Sequence, residues 1–228
     1  MKGKWLGSLS LILSVVTACA SQQAKTSAAP SGWRDLFDGK TLAGWREYKG
    51  GTPSGWFVQD GALTKNKGTK DIITVDEFSD FELTFDWKIA TEGNAGVFYR
   101  GTEEYDHVYW SAPEYQLLDD ANAPDGKSRL TSAGSDYALY PSPAGYLKPA
   151  GEWNSSRIIV KGAHVEHWLN GTKLLEYEFW SPDWEAKVQA SKFKSWPNYG
   201  RATKGHIAIQ GDHNGELQLK NIKIREIK

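Results

Sequence analysis

Nine residues, Phe81–Ile89, alternate without a break. Phe81, Leu83, Phe85, Trp87 and Ile89 fall on one face, and Glu82, Thr84, Asp86 and Lys88 on the other. A period of two over that length marks an antiparallel strand with one buried face and is incompatible with a helix. Asp60-Gly61 joins residues 56–59 to 62–65, and Asn170-Gly171 joins residues 164–169 to 172–178. Both dipeptides favour the left-handed two-residue turn of a hairpin. Residues 96–100, 114–118, 157–161 and 206–210 supply further strands. Near the C-terminus the apolar phase changes, from odd positions (Leu217, Leu219) to even ones (Ile222, Ile224), so a bulge is expected at Lys220-Asn221. One helix is expected, capped by Ser181, with Pro182 first, Asp183 and Glu185 at its positive end, and a stop near Lys192. The sum is an all-β chain: a two-sheet antiparallel sandwich of jelly-roll type with one short helix. Trp45, Trp56, Trp87 and Trp168 are its expected core anchors.

The chain has 228 residues, with 27 Lys+Arg against 28 Asp+Glu and no basic block. That balance leaves no electrostatic footprint for nucleic acid. Its single cysteine, Cys19, excludes a disulfide framework and any cysteine-rich metal cluster. Lys2 and Lys4 precede an apolar run ending at Ala18. The run is shorter than the about 20 residues a bilayer span needs, so residues 1–18 read as a secretory signal. Val16-Thr17-Ala18-Cys19 resembles the bacterial lipobox, whose cysteine is acylated. The alternative is an ordinary signal with a coincidental cysteine. With no Asp after Cys19, the resemblance points to an outer-membrane lipoprotein facing the periplasm, touching the membrane only through its anchor. Residues 19–32, small and polar, suit a flexible tether. The folded domain is then 33–228.

Three polar groups break the strand pattern. Glu114, Gln116 and Asp120 share one face of their segment, opposite Tyr115 and Leu117. Carboxylate, amide and carboxylate in a row suit sugar hydroxyls or a cation. Arg100 ends the strand beginning at Gly96, and Gln210, Asp212 and His213 follow a strand end, where loops carry function. The competing reading is a set of solvated outer positions and a turn. Asp120, Asn122, Asp125 and Gly126 are out of register for a calcium loop and read as an Asx-rich turn. Trp110, Trp153, Trp180, Trp184 and Trp196 fall in loops or the helix, where an aromatic face can stack on a sugar.

The motifs Leu36-Phe-Asp-Gly-Lys-Thr-Leu42 with Gly44-Trp45, Gly93-Asn-Ala-Gly-Val97, Glu114-Tyr-Gln-Leu-Leu-Asp-Asp120, Gly151-Glu-Trp-Asn154 and Gly205-His-Ile-Ala-Ile-Gln-Gly-Asp-His213 stand in that order. In this they resemble the bacterial family named for 3-keto-disaccharide hydrolase, also 3-keto-glycoside 1,2-lyase and 3-keto-2-hydroxyglucal hydratase. The resemblance implies a concanavalin A-like jelly roll and a 3-keto-glycoside substrate, made upstream by a sugar 3-dehydrogenase. It implies no nucleotide cofactor. A ketone at C3 acidifies the C2 hydrogen, so the chemistry needs one base and one group that stabilises an enolate. His213 or Glu114 is the expected base. Arg100, or a divalent metal held by Glu114, Asp119 or Asp120 (Ca, Mg, Mn and Zn left open), is the expected electrophile. Gln116, Gln210, Trp153 and Asp212 are expected to position the sugar. The chain departs from the family after His213, where the family's usual Gly is replaced by Asn214-Gly215, and around residues 179–201, a stretch placed to shape substrate choice. A non-catalytic carbohydrate-binding module on the same fold is the alternative. A glucanase is disfavoured, because its Glu-x-Asp-x-x-Glu run is missing.

Overall fold

The computed structural model describes residues 1–3 and 32–227. Residues 4–18 of the expected signal segment, Cys19 and all but the last residue of the tether lie outside them. Thirteen strands form two antiparallel sheets. The larger holds, in spatial order, β11 (Thr172–Glu178), β10 (His164–Leu169), β9 (Asn154–Lys161), β6 (Phe81–Ile89), β13 (Leu217–Glu226), β4 (Ala62–Lys65) and β3 (Phe57–Gln59), with β1 (Arg34–Asp35) also pairing β13. The smaller runs β2 (Trp45–Glu47), β5 (Ile72–Thr74), β12 (His206–Ile209), β7 (Asn94–Gly101) and β8 (Glu114–Leu118).

Both expected hairpins form, and the turn residues take the left-handed geometry their identities allow: Asp60 and Gly61 at φ 51° and 75°, Asn170 and Gly171 at 48° and 85°. The C-terminal bulge is also present, with Asn221 at φ 52° and the β13–β6 register slipping between Lys220 and Lys223. Helix α1 (Pro182–Ala190) starts as expected, the Ser181 hydroxyl accepting from Trp184 N–H at 3.2 Å, and ends two residues early. A 3-10 helix, Lys192–Ser195, follows it. Among the described residues no helix is long and apolar enough to cross a membrane.

Trp45, Trp56 and Trp87 are buried between the sheets, but Trp168 is not. It points outward from β10 and lies under Arg157, 3.9 Å from the guanidinium carbon. Its phase on β10 explains this: Val165, His167 and Leu169 are the inward residues.

The smaller sheet is buried on both faces, and the two ends of its outer face differ. Its inner face contributes Ala95, Val97, Tyr99, Tyr115 and Leu117 to the main core. One end of its outer face carries a second cluster, Ile73, Phe98 and Ala208, roofed by Val108 and Ala112 of the 102–113 loop. The other end of that face is left without a roof and holds the polar residues described next.

Candidate active site

Strands β7 and β8 pair with Gly96 opposite Gln116 and Phe98 opposite Glu114. Glu114 and Gln116 therefore face outward, as their spacing predicts. Glu114 lies down across Gly96. A Cβ there would stand 2.1 Å from Glu114 Oε1, so only glycine admits this pose. The Glu114 side chain is 6% exposed, and among the described residues it makes no hydrogen bond with protein. Burial pushes its pKa up to about 8, opposed mainly by the nearby Lys192 cation and reinforced by Asp71, Asp136 and Asp212. Burial thus favours its carboxylic acid form.

Its carboxyl opens into a cavity of about 210 Å³. Gln210, Asp212 and His213 line this cavity, brought in by the turn that follows β12. That turn is tightly seated. Gln210 N–H donates to Gly96 O at 2.9 Å, Gly211 N–H to Asp71 Oδ1 at 2.8 Å, and the Lys65 ammonium to His213 O at 2.6 Å. Asp212 Oδ1 stands 3.8 Å from His213 Nε2. The expected grouping of Glu114, Gln210, Asp212 and His213 is thus assembled by two strand ends distant in sequence.

Other walls come from residues the sequence reading missed. Lys192, at the start of the 3-10 helix, enters the cavity with its ammonium 4.5 Å from the Tyr137 ring centre and 5.7 Å from that of Tyr109. Among the described residues it forms no salt bridge. It comes from the 179–201 stretch, and that departure from the family was the available signal. Asn94 and Asp125 complete the wall. Asn94 Nδ2 donates to Asp125 Oδ2 at 3.2 Å, and Gln116 Nε2 donates to Asn94 Oδ1 at 3.2 Å. Asp71 was also missed. It is 8% exposed, and burial raises its pKa to about 6.

Several expected site residues lie elsewhere. Arg100 is turned away by a bulge: it takes φ 52°, and the β12–β7 register slips beside it. Its guanidinium donates to Ser79 O, Gly162 O and Asp80 Oδ1, each at 3.0 Å. It ties strands together and faces no cavity lined by Glu114. Trp153 lies on the larger sheet's outer side, beneath Lys88 and Lys220. Gln116 is fully buried and supports Asn94 rather than lining the cavity. Asp119 and Asp120 fold into the Asx turn. Asp119 accepts from Glu92 N–H and Asn122 Nδ2, Asp120 from Ala133 N–H and Arg129. Glu114, Asp119 and Asp120 do not converge. Among the described residues, the group with metal-ligand spacing is His164, Glu166 and Glu176, on the β10–β11 hairpin. There the imidazole is already paired, with Glu178 at 2.6 Å. The loop tryptophans are packing groups: Trp184 is fully buried, and Trp110 stacks on Trp196 at 5.1 Å. Tyrosines take their place at the cavity.

Residues 32–225 match the family described as the 3-keto-alpha-glucoside-1,2-lyase-like domain. A 3-keto-disaccharide hydrolase of Bacteroides thetaiotaomicron is 35% identical over 85% of this chain and 78% of its own length. A Parabacteroides distasonis protein whose crystal structure bears a glycosyl-hydrolase name superposes with TM-score 0.82 at 36% identity, covering 87% of this chain and 95% of that one. A family GH16 endo-glucanase, SCLam, shares the fold alone, with TM-score 0.51 and 10% identity over 87% and 92% of the two chains. With a family match spanning nearly the whole described domain and relatives above 30% identity, the chain belongs to the 3-keto-alpha-glucoside-1,2-lyase-like family.

Proposed function

We propose that this chain cleaves 3-keto-disaccharides by elimination across C1 and C2 followed by hydration. The observation that carries the reading is Glu114: a buried carboxyl, its pKa raised by burial, that opens on a cavity shared with His213 and Lys192. Two titratable groups in different environments divide acid from base. His213 takes the C2 proton, and the electron pair moves to the C3 oxygen as an enolate, beside the Lys192 ammonium. As the ketone re-forms, the pair closes a C1=C2 double bond and the C1–O bond breaks. Glu114 gives its proton to the departing oxygen. Water then adds at C1, losing a proton to the Glu114 carboxylate while the imidazolium returns one to C2. Both groups end as they began, and the net reaction is hydrolysis.

The relative's name supports the substrate class, and the family's description supports the lyase step. A ketone at C3 has to be installed first, so a sugar 3-dehydrogenase acts upstream. The lipobox of the sequence supports a periplasm-facing lipoprotein held at the outer membrane through Cys19.

Exchange of the C2 hydrogen with D2O, measured beside cleavage of a 3-keto-glucosyl disaccharide, separates the two roles. His213→Ala is expected to lose both. Glu114→Gln is expected to keep exchange and lose cleavage, and to recover cleavage with an aryl leaving group that needs no proton. Wild-type exchange and cleavage in both variants would refute the assignment.

A further inference from the structure

Beyond Asp212 a second cavity of about 360 Å³ adjoins the first, and Asp212 lines both. Its walls include Tyr48, Lys49, Asp71, Asp106 and His107. The partition between the cavities is aromatic. The His107 ring stacks on Tyr109 with centres 5.0 Å apart and planes 26° from parallel, and Tyr109 lines the first cavity. The wall is braced from behind by the Tyr48 hydroxyl, which donates to Tyr105 O at 2.7 Å and lies 2.9 Å from Thr102 O. The first cavity alone is smaller than the about 300 Å³ at which ligand pockets usually begin, so it suits one sugar ring, not two.

We infer that the second cavity is the leaving-group subsite, shaped for a neutral sugar on the far side of the scissile bond. The inference rests on the elimination reading above. Charge supplies the selectivity. Both lysines on this wall are already paired, Lys49 with Asp106 at 3.3 Å and Lys70 with Glu47 at 3.0 Å. Among the described residues, Asp71 and Asp212 form no salt bridge with a lysine or arginine, and the cation that acts on both is the Lys65 ammonium, which is spent on the His213 carbonyl. An incoming uronate or sugar phosphate therefore meets the Asp71 and Asp212 carboxylates, and to gain a cation it has to compete with Asp106 for Lys49 or with Glu47 for Lys70. A neutral ring meets hydrogen-bonding groups and an aromatic edge.

The test uses three substrates that share the 3-keto-glucosyl group: a disaccharide with a glucose leaving group, one with a glucuronate leaving group, and the methyl glycoside. The wild type is expected to prefer glucose over glucuronate by at least ten-fold in kcat/KM. His107→Ala is expected to lose at least ten-fold more on the glucose disaccharide than on the methyl glycoside, mainly through KM. Asp106 is highly exposed, so Asp106→Lys keeps the fold, and it is expected to narrow the glucose-to-glucuronate preference. Equal losses on disaccharide and methyl glycoside, or an unchanged preference in Asp106→Lys, would overturn the subsite while leaving the elimination reading intact. A wild type inert to all three substrates would overturn both.

Discussion

Glu114 and Asp136 are neighbours that teach opposite lessons. The segment at Asp136 runs beside β8, with Tyr115 bridged to Asp136 and Tyr137 N–H donating to Glu114 O at 3.0 Å. Both carboxyls are buried, and burial pushes both up to about 8. Glu114 faces outward into a cavity with a cation and an imidazole. Asp136 is fully buried, and among the described residues neither of its oxygens has a donor in hydrogen-bonding geometry. Nearby, the Tyr99 hydroxyl lies 2.6 Å from that of Tyr177 and 2.9 Å from His167 Nε2. A raised carboxyl pKa is common to both, so by itself it does not mark catalysis. Access to a substrate-sized space does.

The comparison is broken most directly by neutralising each acid in turn. Glu114→Gln is expected to lower turnover of a 3-keto-disaccharide about a thousand-fold, the scale of a lost general acid. Asp136→Asn is expected to leave turnover within about three-fold and to show itself in stability instead. Asp136 keeps its proton in the fold up to about pH 8, whereas an unfolded aspartate loses it near pH 4. Between those values the unfolded chain binds fewer protons, so wild-type stability falls as pH rises. Asp136→Asn should flatten that slope in thermal melts across pH 5 to 8. Turnover losses of equal size in the two variants would erase the distinction.

A smaller effect sharpens the same contrast. If Glu114 acts as an acid, it must be protonated, so kcat/KM should fall as pH rises through about 8. If it acted as the base, activity would climb through that range. A pH profile with a leaving group of ordinary acidity distinguishes the two. An aryl leaving group should blunt the alkaline fall.

What was legible in the sequence follows the reach of each signal. Strict alternation in Phe81–Ile89, the Asp-Gly and Asn-Gly turns and the Ser181 cap are local devices, and they folded as their chemistry required. The outward phase of Glu114 was legible for the same reason. Arg100 failed because a single bulge reverses a side chain, and no residue type near it announces the slip. Asp119 and Asp120 failed because turn-forming and metal-binding aspartates look alike in sequence, and their oxygens are here filled by backbone amides and side-chain donors. Trp153 failed because loop position says nothing about which sheet the loop crosses. Lys192, Tyr109 and Tyr137 reach the first cavity, and Asp71 the second, only through long-range packing. The one hint was that Lys192 sits in a stretch that departs from the family.

The central claim is that the outer cavity of the smaller sheet cleaves oxidised sugars and no others. The most direct measurement incubates the protein with paired disaccharides, identical except for a ketone or a hydroxyl at C3, and follows release of the second sugar. The account predicts release from the 3-keto member, none from its unoxidised twin, and loss of release in Glu114→Gln. Release from the unoxidised sugar, or tight binding of both with cleavage of neither, as in a carbohydrate-binding module, would contradict it.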